Sequence, residues 1–191
     1  MQALILDGSF VGDDVITASR EAIEGELRTG GWNVNSFTLR DMDIAACRGC
    51  FKCWIQTPGV CIVDDAGRRV AEQFIKSDLV VFLSPVTFGG YSSFLKKGVD
   101  RMIPNVLPFF EKIQGEVHHK RRYDAYPRLV VLGVLPQPGA EGERIFLSLA
   151  ARNAINFYSP GFAAGIIYPA HDAAARKQEI TTLLRKAGVA V

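Results

Sequence analysis

Short apolar runs alternate with longer amphipathic segments along this chain. Ala3–Asp7, Leu79–Leu83, Leu129–Leu135 and Phe162–Ile167 are too short for helices and nearly continuous in apolar residues, as strands buried on both faces are. Trp32–Leu39 mixes the two kinds of residue and reads as a further strand. Between the strands lie segments with helical spacing. Asp14–Thr29 carries the stripe Ile16, Ala18, Ala22, Ile23 and Leu27, and Gly30-Gly31 ends it. Asp64-Asp65 places carboxylates at the positive end of a helix reaching Lys76. Further helices are predicted over Ser92–Ile103, from about Gly142 to Phe157, and over Asp172–Lys186.

This is strand–helix repeated five times, which predicts an α/β fold with a doubly wound, five-stranded parallel sheet. Right-handed crossovers fit the order 2-1-3-4-5, numbering these strands alone. In that order the loops Gly8–Asp14, Ser84–Tyr91 and Gly133–Gly142 converge at the carboxyl ends of the strands, where ligands of such sheets bind. Residues 104–127, rich in Pro, His, Lys and Arg, break the pattern. They are expected to form an irregular excursion or helix extension, and an oligomer contact, within a single domain of residues 1–191.

Composition narrows the classes of function. With 191 residues, 48% of them apolar, the chain can bury a substantial core. A formal charge of +2 gives no basic stripe for nucleic acid or an anionic membrane. No apolar run reaches membrane-spanning length, and Met1-Gln2-Ala3-Leu4-Ile5 reads as a strand rather than a leader, so the expected location is the cytoplasm. No Ser-His-Asp constellation, paired carboxylates or phosphate-binding P-loop is evident, and the Gly8/Gly12 spacing is not that of a dinucleotide fingerprint.

The loop Ser84-Pro85-Val86-Thr87-Phe88-Gly89-Gly90 suits a flat ring. Pro85, Val86 and Phe88 offer an apolar shelf, and Gly89 and Gly90 allow close backbone approach to a polar ring edge. With Ser92/Ser93, Leu95-Lys96 and Asp100-Arg101 behind it, this loop resembles the flavin loop and following helix of the NADPH-dependent FMN reductases and iron-sulfur flavoproteins. The resemblance implies a flavodoxin-like fold, FMN as cofactor and NAD(P)H as donor. The flavin would carry the hydride, so no residue of the chain is cast as a catalytic acid or base. It also implies an electron acceptor that includes a redox protein among its candidates, and a homodimer or homotetramer. The cofactor-binding positions it marks are Gly8, Ser9, Pro85, Val86, Thr87, Phe88, Gly89 and Gly133. Thr87 stands where the family commonly has tyrosine. After Gly8-Ser9 the family has Pro-Arg and a hydroxyl-rich turn; this chain has Phe10-Val11-Gly12-Asp13-Asp14, without the arginine and with two carboxylates. Asp14 can serve as the helix cap, and Thr17 or Ser19 as a late replacement hydroxyl. Loss of FMN from this altered loop would leave a flavodoxin-like binding protein.

Cys47, Cys50, Cys53 and Cys61 form a CxxCxxC-x7-C pattern. Four thiolates are the usual ligand set of a 4Fe-4S cluster, and the spacing resembles the compact motif of iron-sulfur flavoproteins. Structural zinc, a redox-active thiol pair and four reduced cysteines without a cofactor are the other readings of the same residues. Phe51 and Trp54 are expected to pack in the core, and the basic run His118–Tyr123 to form a solvated loop face.

Overall fold

The computed structural model describes residues 1–191. Its main sheet contains β1 (Gln2–Asp7), β2 (Asn33–Thr38), β3 (Leu79–Pro85), β6 (Arg128–Val134) and β7 (Phe162–Ile167). All are parallel, in the order β2-β1-β3-β6-β7. The predicted doubly wound order stands, with one hairpin inserted between its third and fourth strands.

Each strand feeds two cores because successive side chains point to opposite faces. From β1, Ala3 and Ile5 enter one core with α1 (Asp14–Thr29) and α6 (Ala173–Lys186). Leu4 and Leu6 enter the other, with α3 (Ala66–Lys76), α4 (Ser93–Asp100) and α5 (Ala140–Asn156). The α1 stripe holds at Ile16, Ile23 and Leu27, which are buried, whereas Ala18 and Ala22 are half-buried at its margin. A short helix α2, Lys52–Ile55, lies inside the cysteine loop.

The segment expected to be irregular is instead an antiparallel hairpin: β4 (Val106–Ile113) pairs with β5 (Glu116–Arg121). Its turn residues Gln114 and Gly115 have φ of 51° and 88°, the left-handed pair that a two-residue hairpin needs. The hairpin docks through side chains. Tyr158 donates to the carbonyl of His119 (2.7 Å), and Trp54 Nε1 donates to that of Val106 (2.9 Å). The His118 ring lies 2.7 Å from Asn156 Oδ1 and 3.1 Å from Glu116 Oε2. His118 is buried against α5, whereas Lys120, Arg121 and Tyr123 are exposed, so the run keeps a solvated face but most of it is strand rather than loop.

Candidate functional site

The loops after β1 and β3 meet at the carboxyl end of the sheet, beside the switch point. Gly8 is buried at that junction. Its N–H donates to Leu83 (2.8 Å), and its carbonyl accepts from the Ser92 hydroxyl (2.6 Å), which also caps α4 by accepting from Leu95. A Cβ at Gly8 would stand 2.7 Å from both Ser92 Oγ and Leu95 Cβ, so no larger residue fits.

Ser9 is fully buried, and its hydroxyl accepts from Arg40 at 2.6 Å. Arg40 also donates to the Phe10 carbonyl (3.0 Å). The family's arginine is absent from the loop, but a guanidinium reaches it from the short helical turn after β2. The backbone N–H groups of Val11, Gly12 and Asp13 make no hydrogen bond within the chain, and Asp13, the residue preceding α1, provides no side-chain cap. An uncapped helix N-terminus with free N–H groups and an arginine fits a phosphate. Asp14 is therefore the first residue of the helix rather than its cap. Thr17 and Ser19 spend their hydroxyls on the carbonyls four residues back, Thr17 on that of Asp13 at the end of the loop and Ser19 on that of Val15 within the helix. Asp13 is half-buried, and burial pushes its carboxyl above the usual range, with Asp7 and Asp14 adding to the effect against Arg40 and the Phe10 backbone.

The loop after β3 is a tight turn. Thr87 and Gly90 exchange backbone hydrogen bonds (2.9 and 2.8 Å), and Phe88 and Gly89 between them have φ of 51° and 74°. The Thr87 hydroxyl closes the turn onto the Tyr91 carbonyl. Val86 donates to Val134, tying this loop to the end of β6. The N–H groups of Phe88 and Gly89 have no partner in the chain, and the Phe88 side chain projects fully into solvent. Gly133 lies beneath the crevice: a Cβ there would meet Phe146 and Val86 at 2.7 Å, so its glycine serves packing.

The four cysteines border one cavity of about 130 Å3, together with Arg48, Lys52 and Arg101. Cys47 and Cys50 are exposed, Cys61 is half-buried, and Cys53 is buried, with its thiol pushed up by that burial. No three Cys, His, Asp or Glu side chains are gathered closely enough to hold a metal ion. The loop is clamped at both ends. Asp65 accepts two bonds of 2.7 Å from the buried Arg101 and a third from the Ala45 N–H, while Arg101 donates to the carbonyls of Ala45 and Val63. Burial alone would raise the Asp65 carboxyl, but Arg101 and the N–H groups of Ala45 and Gly67 hold it below the usual carboxylate range. Burial likewise works against the charge of Arg101; Asp65, with Cys61 close by, more than offsets it. Phe51 is exposed rather than in the core, and stacks on Trp54 with ring centroids 5.3 Å apart.

The sequence profile of the NADPH-dependent FMN reductases matches residues 1–120. The chain belongs to the NADPH-dependent FMN reductase family. As a member, it is an NAD(P)H-dependent oxidoreductase of the flavin class. Solved structures agree on the fold. An NAD(P)H:quinone oxidoreductase from Methanothermobacter marburgensis is 15% identical with a TM-score of 0.69, covering 97% of this chain and 94% of its own. An azoreductase from Bacillus anthracis is 16% identical with a TM-score of 0.65, covering 98% and 96%. An FMN-dependent NADH-azoreductase from the same species, solved with FMN, is 14% identical with a TM-score of 0.63, covering 97% and 99%. Nothing among curated proteins matches. Arg40 is the residue of this loop junction that motif reading missed. The signal was in the strand register: Thr38 pairs with Asp7, so residue 40 stands level with residue 9.

Proposed function

We propose that this family member binds FMN in the crevice between the Gly8–Asp13 and Pro85–Gly90 loops and uses it to pass electrons from NAD(P)H to a small planar acceptor of the quinone type. The observation that carries this reading is that two loops at the carboxyl end of the sheet, joined by the Ser92–Gly8 hydrogen bond, leave backbone N–H groups uncommitted: Val11, Gly12 and Asp13 on one, Phe88 and Gly89 on the other. Bound there, the flavin supplies hydride acceptance from the nicotinamide and release of electrons to the acceptor. The chain supplies the rest. Arg40, the Ser9 hydroxyl and the start of α1 hold the phosphate. Pro85, Val86 and the Phe88 and Gly89 backbone hold the ring, and Thr87 fixes the turn they sit on. Val11 and Phe88, 90% and 108% exposed at the rim, present apolar surface to an incoming acceptor. The reading includes a dimer or tetramer, supported by the exposed Phe109, Phe110 and Val117 of the hairpin and tested by sedimentation. No helix is long and apolar enough to cross a membrane.

For the cysteine loop we take free thiols over a 4Fe-4S cluster, because the potential ligands are spread around the cavity. Iron and acid-labile sulfide assays on anaerobically purified protein test that choice. For the flavin, the purified chain should take up one FMN and oxidise NADPH or NADH with menadione as acceptor. A chain that takes up no FMN sinks this reading and returns the protein to the class of flavodoxin-like binding proteins.

A further inference from the structure

A cavity of about 410 Å3 lies between the cysteine loop, α3 and the foot of the hairpin, and none of the flavin-loop residues lines it. That volume is in the range of small-molecule sites. Its walls are largely apolar: Val60, Ala71, Ile75, Pro104 and Tyr123. Burial gives it a depth. Asn105, also in the lining, is only 2% exposed, whereas Val60 and Tyr123 are 47% and 36% exposed. Asn105 therefore stands at the floor, with Val60 and Tyr123 at the mouth.

The Asn105 amide has one possible orientation. Its Nδ2 lies 3.0 Å from the Ala71 carbonyl, which can only accept, so the nitrogen must face it. Oδ1 is left without a donor from the chain, yet it is not sealed from solvent. The backbone there is fixed as well: the Asn105 N–H donates to the Met102 carbonyl (2.8 Å), and the Asn105 carbonyl accepts from the Tyr126 hydroxyl. An acceptor is thus held still at the bottom of an apolar cavity. The ions around it are already matched. Lys76 pairs with Glu72, while Arg68 pairs with Asp64 and donates to the carbonyls of Cys61 and Ile62. An entering ion would give up its hydration and find no free counter-charge.

We propose that this cavity binds an uncharged aromatic molecule that carries a hydroxyl, of the phenol or naphthol class. The ring lies against the apolar walls, and the hydroxyl donates to Asn105 Oδ1. A ketone or ether of the same shape offers that oxygen only lone pairs. It would strip water from a buried acceptor and replace it with nothing, so it is rejected. The site discriminates by the presence of a proton on the ligand oxygen rather than by size. It needs neither FMN nor any cysteine sulfur.

The test is calorimetric titration of the full-length protein, in the presence of excess FMN, with 2-naphthol and with 2-methoxynaphthalene. The two share a ring system, but only the first has a donor. One 2-naphthol per chain is expected, with 2-methoxynaphthalene at least about tenfold weaker. Asn105→Leu removes the acceptor and should bring the two affinities within about twofold of each other. Val60→Trp fills the exposed mouth and should weaken 2-naphthol at least about tenfold while FMN uptake stays unchanged. Absence of saturable 2-naphthol binding, equal affinity for both compounds in the unaltered protein, displacement of 2-naphthol by FMN, or full affinity in Val60→Trp overturns the proposal. If Asn105→Leu fails to fold, the two compounds on the unaltered protein and the Val60→Trp variant still decide. FMN uptake, measured on the same sample, keeps this result separate from the flavin reading.

Discussion

Asp13 and Arg40 pull in opposite directions on the same small volume. Arg40 brings a fixed positive charge to Ser9, and Asp13 brings a carboxyl whose burial raises its pKa. A phosphate held there gains from the first and is opposed by the second. A hydrogen bond to a charged group contributes about 1.5–3 kcal/mol, so Arg40→Ala should weaken FMN binding by roughly 10- to 100-fold. Asp13→Asn should tighten it by several-fold, roughly 1 kcal/mol, by removing the opposing charge. Quenching of flavin fluorescence reads both dissociation constants. Unchanged affinity in Arg40→Ala would remove the phosphate from this loop. The arginine was hidden because it lies 31 residues from Ser9, and a motif search looks along the chain. Parallel pairing of β1 with β2 brings the two together.

At the scale of elements, the cysteine loop is a long connection given shape by one ion pair. Asp65 starts α3 and Arg101 ends α4, and together they bond the backbone at both Ala45 and Val63. The sequence singled out Asp65 as a helix cap and Arg101 as half of an Asp-Arg pair; that they partner each other follows only from packing α3 beside α4. Removing one partner of a buried pair leaves an uncompensated charge, so Asp65→Asn should cost about 3–5 kcal/mol in urea unfolding. The Asp65 carboxyl is held low in the folded state. Its stabilisation is therefore fully present above the unfolded carboxylate range and is lost as pH falls through the lowered value. The variant should lack that part of the acid sensitivity. An unaltered acid transition in Asp65→Asn would show that the pair does not act this way. The hairpin was illegible for a different reason. Its turn is Gln114-Gly115, not the Asn-Gly that announces a hairpin, and charged residues interrupt the alternation on both strands.

For the whole molecule, the parallel sheet was legible because strands buried on both faces leave nearly unbroken apolar runs. The same burial has an alkaline cost. Burial pushes Tyr91 up to about 12, and Tyr158 and Tyr168 rise to about 12 through burial with Glu111 and Glu143 beside them. Each folded value lies above the unfolded one near 10. Their contribution to stability is complete below about pH 10 and disappears as pH climbs toward about 12. The urea midpoint should fall steeply across that window, and phenol ionisation followed by absorbance should coincide with unfolding. Ionisation of all five tyrosines near pH 10 with the structure intact would contradict this.

The helix α4 touches the Gly8 loop at one end and the cysteine loop at the other. Ser92 at its start bonds Gly8, and Arg101 at its finish bonds Asp65. Eight residues make about 12 Å of helix and turn about 100° per residue. Inserting or deleting one residue would leave both ends chemically intact but swing one away from its partner by more than a quarter turn. The helix thus works as a ruler and a dial together. Among the descendants of such a sequence, its exposed positions are free to change their letters, but buried Leu95 and Gly98 are not, and neither is its count.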